Sequence, residues 1–218
     1  MCGRYYIEID EGDLDEIVRE AEEKVKEYAG QITMKTRGDI YPTDIVPVLT
    51  EAHQGEPMQW GFSLAKGRPV INARCESVFE KAMFRQSVRE HRCLIPASAY
   101  YEWASVAGTK KKDQYVFQAH GSILYFAGCY RYYHGEKARS IPQFVILTRQ
   151  AADGAVAIHD RMPVIIPEHR IEDWLCSEKP AISFDESITA LQIKRYASQG
   201  TATDSMESTD AKGQIGLW

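Results

Sequence analysis

The sequence predicts a mainly β, α+β fold: one domain built on a curved, barrel-like antiparallel or mixed sheet with a few flanking helices. Three observations carry this. Short apolar runs recur from Ile45 onward, separated by Gly, Pro, Asn and Asp. Only one long stretch has clear helical periodicity. The chain of 218 residues, 44% hydrophobic and 26% charged, is long enough for one large core. Residues 1–218 therefore read as a single domain, with a polar Ser/Thr/Asp-rich tail over about 200–218.

The elements follow in order. Residues 5–9 read as a short strand. Asp13–Tyr28 is the clearest helix, because Leu14, Ile17, Val18, Ala21, Val25 and Tyr28 fall on one face. Asp13 with Glu16 makes an N-terminal capping pattern, and Gly30 a stop. Strands are expected at Ile45–Leu49, Gln59–Leu64, Val70–Ala73, Arg92–Ile95, Tyr100–Trp103, Gln114–Ala119, Leu124–Tyr130, Phe144–Thr148 and Val164–Ile166. Short helices are expected over Ser77–Glu90 and over Glu168–Leu175, the latter behind Pro167, and Leu191–Tyr196 is a final strand.

Composition narrows the function. No apolar run approaches the ~20 residues of a membrane span, and no basic-then-apolar pattern opens the chain, since acidic residues occur from Glu8 onward. Five scattered cysteines without a C-x-x-C pair argue against a disulfide framework and for a reducing, cytoplasmic setting. His159, His169 and Cys176 lack zinc-site spacing, and there is neither H-E-x-x-H nor a Gly-rich phosphate loop, so no metal and no cofactor is expected. Net charge is −5, yet Arg4, Arg74, Arg85, Arg89, Arg92, Lys110 to Lys112, Arg131, Arg149 and Arg161 lie outside the acidic blocks. They allow a local basic groove, although a charge run is usually a solvated face.

Four stretches place reactive groups where a plain core does not want them. Met1-Cys2-Gly3-Arg4 comes first, because a small second residue permits removal of the initiator Met. Cys2 would then carry an α-amine titrating near ~8 beside a thiol titrating near ~8.5. Together they can close a five-membered thiazolidine on an aldehyde, the second bond gaining from intramolecular proximity. A retained Met1 would leave Cys2 no α-amine, and Cys2 taken alone is more readily a buried or incidental cysteine. Asn72 and Arg74 share one face of a strand, fit for an amide contact and a phosphate, or simply for a polar outer edge. Glu102, between Tyr101 and Trp103, is either a partly desolvated general acid–base or a solvent-facing carboxylate. His159-Asp160-Arg161 offers an imidazole to polarise a carbonyl or imine and a guanidinium for a phosphate, though a lone histidine is more often structural.

In this order, Met1-Cys2-Gly3-Arg4, Trp60-Gly61-Phe62, Asn72-Ala73-Arg74, Arg92-Cys93-Leu94-Ile95-Pro96-Ala97, Tyr101-Glu102-Trp103 and His159-Asp160-Arg161-Met162-Pro163 resemble the SRAP family, the SOS-response-associated peptidases. The resemblance covers the chain to about residue 200. Two positions depart from it, Cys75 where Ala is common and Ala99 where Gly is common.

The resemblance implies a single SRAP domain that binds single-stranded DNA and joins covalently to abasic sites through a thiazolidine on Cys2 once Met1 is gone. It implies that Asn72 positions the amine and the opened sugar, that Glu102 protonates the sugar ring oxygen, and that His159 assists the Schiff base and its reversal. Arg4, Arg74 and Arg161 would hold backbone phosphates, and Trp60 would lie near the DNA path. A monomer acting on abasic single-stranded DNA is the expectation. Two other functions stay open: a cysteine-type (auto)peptidase using Cys2 with His159 or Glu102 as base, and a non-covalent reader of modified bases.

Overall fold

The computed structural model describes residues 2–8, 14–28, 32–119, 123–132, 140–176, 187–188 and 191–196. The strands are β1 (Tyr5–Ile7), β2 (Gly38–Ile40), β3 (Ile45–Thr50), β4 (Gly55–Trp60), β5 (Asn72–Arg74), β6 (Arg92–Ala97), β7 (Ala99–Ser105), β8 (Lys112–Gln118), β9 (Leu124–Arg131), β10 (Gln143–Gln150), β11 (Arg161–Pro163) and β12 (Gln192–Tyr196). The helices are α1 (Asp15–Val25), α2 (Ser87–Glu90) and α3 (Ile171–Cys176), with single 3₁₀ turns at Cys75–Ser77, Asp153–Ala157 and Glu168–Arg170. The mainly β fold is as read from the sequence, and no described helix is long and apolar enough to cross a membrane.

The larger sheet runs β11-β10-β4-β3-β6-β9, and because β9 also pairs with β10, the strands β10, β4, β3, β6 and β9 close into a barrel. β10 is the seam. Along one edge it takes β4 in parallel at Gln143 and Phe144, then β5 in parallel at Ile146 to Thr148. Along the other it takes β9 at Gln143 to Ile146, then β11 at Thr148 to Gln150. The second sheet, β12-β8-β7-β1-β2, is a five-stranded layer. Phe144 and Ile146 join the core that holds Tyr5, Trp60 and Tyr100, while Val145 and Leu147 join the core under α1 and α3. Both faces of the strand are buried, which is why it reads as an unbroken apolar run rather than an alternation. Gly128 on β9 is required there: an added Cβ would lie 2.4 Å from Ile95 Cδ1 and 2.9 Å from the Val145 carbonyl oxygen.

Several elements differ from the sequence-based expectation. α1 buries Leu14, Ile17 and Ala21 as the periodicity predicts, whereas Asp13 and Gly30 lie outside the described residues, as does the 200–218 tail. β4 replaces the expected Gln59–Leu64, because Gly61 takes φ +112 and turns the chain just after Trp60. It starts at Gly55, and its Pro57 faces Pro47 across the ladder. Facing prolines are tolerated where opposed residues exchange no N–H···O bonds. The expected helix over Ser77–Glu90 is α-helical only at Ser87–Glu90, with Ser77 closing a 3₁₀ turn. Val78 and Phe84 are both buried, and six residues of continuous helix would point them to different sides. The strand expected at Val164–Ile166 lies instead at Arg161–Pro163, with Ile165 making one bridge to Phe126. β2 carries too little apolar sequence to have been read.

Candidate active site and nucleic-acid face

The site is assembled where β1 runs against β7. Their antiparallel register pairs Tyr5 with Tyr100 and Tyr6 with Ala99, and the Tyr101 N–H donates to the Arg4 carbonyl at 3.1 Å. Continued toward the N-terminus, that register sets Gly3 opposite Glu102. Cys2 is fully buried in the core that includes Tyr5, Tyr100 and Trp60. Burial pushes its thiol well above the ordinary cysteine value, and the nearby Glu102 carboxylate pushes it further. The thiol is therefore protonated at neutral pH. On β7, Tyr100 and Glu102 are buried while Tyr101 and Trp103 face the other side, so Glu102 points inward and not to solvent.

Asn72 arrives from β5. It is half-buried, and its Nδ2 donates to the Cys2 carbonyl at 2.9 Å. Its Oδ1 is buried and accepts no hydrogen bond among the described residues, and the same holds for the hydroxyls of Tyr5 and Tyr100. Burial, with a further contribution from Cys2, raises both phenols well above the ordinary tyrosine value. Tyr5 escaped the sequence reading as a site residue, and Tyr100 entered it only within the expected strand Tyr100–Trp103, although it lies two residues before Glu102 on the same strand face. Trp60 holds β5 in place by donating Nε1 to the Ile71 carbonyl at 3.0 Å.

Trp60 is a correction. Expected beside the DNA path, it is fully buried, stacked on Phe144 at 6.4 Å and edge-on to Tyr5 at 5.2 Å. An indole with no exposed face stacks on no base; this one supports Asn72 from behind.

His159 follows the turn Asp153–Ala157, and Ala155 of that turn packs into the same core as Cys2. His159 Nδ1 lies 2.9 Å from the Arg161 N–H and 2.7 Å from Asp160 Oδ1. A bare Nδ1 accepts from Arg161, and a protonated one donates to Asp160, so the imidazole has a partner in either state.

The arginines divide. Arg4 lies over the rings of Tyr101 at 4.4 Å and Trp103 at 4.7 Å, with Nη1 3.5 Å from Asp39. Arg161 forks onto Glu76 at 2.6 and 2.8 Å and donates to the Thr148 carbonyl at 2.5 Å. Hydrogen bonding from Arg161 lowers the Glu76 carboxyl to about 2. Arg92 is buried and donates to the carbonyls of Trp174, Leu175, Val88 and Arg89, so it caps helix ends instead of lining a groove. Arg74 is different: it is exposed at the end of β5, two residues beyond Asn72, and has no ion pair among the described residues. A depression of about 290 Å³ lined by Tyr6, Tyr101, Gln114, Gln118 and Tyr196 opens on the sheet face opposite Glu102 and holds none of the reactive groups.

Comparison with known proteins decides the family: the model described as SOS response associated peptidase (SRAP) matches residues 1–203. The chain belongs to the SRAP family. Among curated SRAP relatives, the abasic site processing protein YoaM of Bacillus subtilis is 29% identical over 129 residues, 59% of this chain and 57% of YoaM. The chain thus spans little more than half of that relative. The abasic site processing protein YoqW of the same organism is 26% identical over 184 residues, 80% of each chain. A solved structure of a Bordetella bronchiseptica protein superposes with a TM-score of 0.67 at 22% identity, covering 90% of this chain and 100% of that one. That likeness bears on the fold.

Proposed function

We propose that this SRAP protein processes abasic sites in single-stranded DNA by joining Cys2 to the opened sugar as a thiazolidine. The observation that carries the proposal is the hydrogen bond from Asn72 to the Cys2 carbonyl, which holds the N-terminal cysteine beside the inward-facing Glu102. The names of the curated relatives, abasic site processing proteins, support the same substrate.

The steps follow from the groups present. Release of Met1 frees the Cys2 α-amine, and Asn72 Oδ1 is the acceptor that orients it. Glu102 gives a proton to the ring oxygen of the abasic sugar, the bond from that oxygen to the anomeric carbon breaks, and the anomeric hydroxyl releases its proton to solvent, leaving the aldehyde. The amine adds to the aldehyde carbon and water leaves, forming the imine with His159 assisting. The thiol then adds across the C=N bond: sulfur bonds to carbon and a proton passes to nitrogen, so one water is lost overall. Because the thiol is held protonated, the amine is the first nucleophile. That order also disfavours a general cysteine peptidase, which needs a thiolate from the outset. Arg74 is the leading phosphate contact, and Arg4, held over Tyr101 and Trp103, is a second. Arg161 reaches a phosphate only by releasing Glu76. The proposed setting is a monomer in the cytoplasm, where a reducing milieu keeps Cys2 a thiol.

Intact mass tests this. After incubation with a single-stranded oligonucleotide carrying one abasic site, tag-free protein should gain the oligonucleotide mass less one water, with Met1 absent. Adduct formation by Cys2→Ala that survives denaturation without reductant would refute the thiazolidine.

A further inference from the structure

We propose that His53, Glu172 and Cys176 form a binding site for a divalent transition-metal cation of the zinc class, separate from the Cys2 centre. Their spacing in the chain gave no hint of it. The turn between β3 and β4 carries His53, and α3 carries Glu172 and Cys176 four residues apart, on one helix face. His53 Nε2 lies 3.2 Å from Cys176 Sγ and 3.4 Å from Glu172 Oε2, and the three donor atoms lie within 4.8 Å of one another. Zinc bonds of about 2.0–2.3 Å in tetrahedral geometry place neighbouring ligand atoms roughly 3.3–3.8 Å apart. Two of the three separations are therefore close to the coordination edge before any ion enters. Imidazole, thiolate and carboxylate together select zinc-like ions over magnesium or calcium. The thiolate and carboxylate charges neutralise a dication, and all three residues are exposed, so entry needs no opening. Binding breaks the Cys176 S–H bond, forms a metal–sulfur bond and gives the proton to solvent; water takes the fourth position. The bound ion would tie the β3–β4 turn to α3, whose C-terminal carbonyls Arg92 already holds from behind.

The test uses cobalt(II) as a coloured probe and zinc as its competitor, in a Cys2→Ala background so that an N-terminal aminothiol contributes no metal. Cobalt should give a thiolate charge-transfer band that saturates at one ion per chain and is abolished by zinc. Cys176→Ser should lose the band, and His53→Ala and Glu172→Gln should each weaken binding at least tenfold. These are exposed positions, and circular dichroism checks that each variant is folded. Zinc at a hundredfold excess over its Kd should raise Tm by roughly 5–10 °C. Absence of a thiolate band in the parent protein, or a band unchanged in Cys176→Ser and His53→Ala, overturns the proposal.

Discussion

Asn72→Ala is the sharpest perturbation of the site. The side chain makes one hydrogen bond of 2.9 Å to the Cys2 carbonyl, and its Oδ1 is a buried acceptor without a partner among the described residues. Removing a hydrogen bond of this kind costs about 0.5–1.5 kcal/mol net, rising to roughly 1–3 kcal/mol when a buried group is stranded. With each 1.36 kcal/mol worth tenfold in rate, crosslinking should slow by about 5- to 150-fold. The assay is single-turnover adduct formation with an abasic oligonucleotide at saturating protein, so that DNA affinity drops out. Asn72→Asp separates the two ends of the amide. It keeps an acceptor for the amine and loses the donor to the carbonyl, so a slow Asn72→Asp assigns the effect to Nδ2. Asn72→Ala reacting at the parental rate, with Tm unchanged, would refute the positioning role.

Five further outcomes are expected. Glu102→Gln should slow adduct formation by about 10²–10⁴-fold, the usual worth of general acid–base help, while the final yield recovers with time. Arg74→Ala should weaken single-stranded DNA binding and reduce the salt slope by about 0.7 per lost phosphate contact; Arg161→Ala should instead lower Tm, by roughly 2–8 °C if the half-exposed pair with Glu76 is worth about 1–2 kcal/mol. Gly55→Ala should destabilise by about 1–3 kcal/mol in denaturant titration, because the new Cβ would lie 2.0 Å from the Ile17 carbonyl oxygen of α1. Glu76 sits at about 2 in the fold against an ordinary 4.5, so its contribution is present above pH 4.5 and is lost as pH falls toward 2. Acid titration of Glu76→Gln should show a flatter loss of stability over that window.

Much of the fold was legible in single segments, and much less in how they join. α1 declared itself through Leu14, Ile17 and Ala21, which the structure buries together. β6, β9 and β10 declared themselves as apolar runs because the barrel buries both of their faces. Closure through β9 and β10 left no local trace, since strand pairing is a contact between distant segments. β4 was misplaced because its first residues, Gly55-Glu56-Pro57, carry no apolar run, and their pairing with Pro47 to Leu49 is a contact between separate segments. The same locality governs the site. Residue type picked out Cys2, Asn72 and Glu102, and the fold brings Asn72 onto the Cys2 carbonyl with Glu102 beside them. Residue type also marked Arg161 as free to bind phosphate; its partner Glu76, 85 residues away, was invisible. Trp60 was expected near the DNA path, and only its burial reveals a supporting role.

β10 explains why these distant residues act together. Its parallel partner β5 places Asn72 opposite Ile146 and Arg74 opposite Thr148, and its antiparallel partner β11 places Arg161 opposite Gln150. One strand thereby sets the spacing between the amide that holds Cys2, the exposed cation at the end of β5 and the segment that follows His159. The seam also lies against Gly128 of β9, where there is no room for a Cβ. Displacing β10 would shift Asn72 and Arg74 together, so crosslinking rate and DNA affinity should fall in parallel. Gly128→Ala, two strands away from Asn72 through Ile146, puts this to the test: it should lower both along with Tm. A variant that loses stability while keeping both functions at parental values would show that β10 is not what sets the geometry of the site.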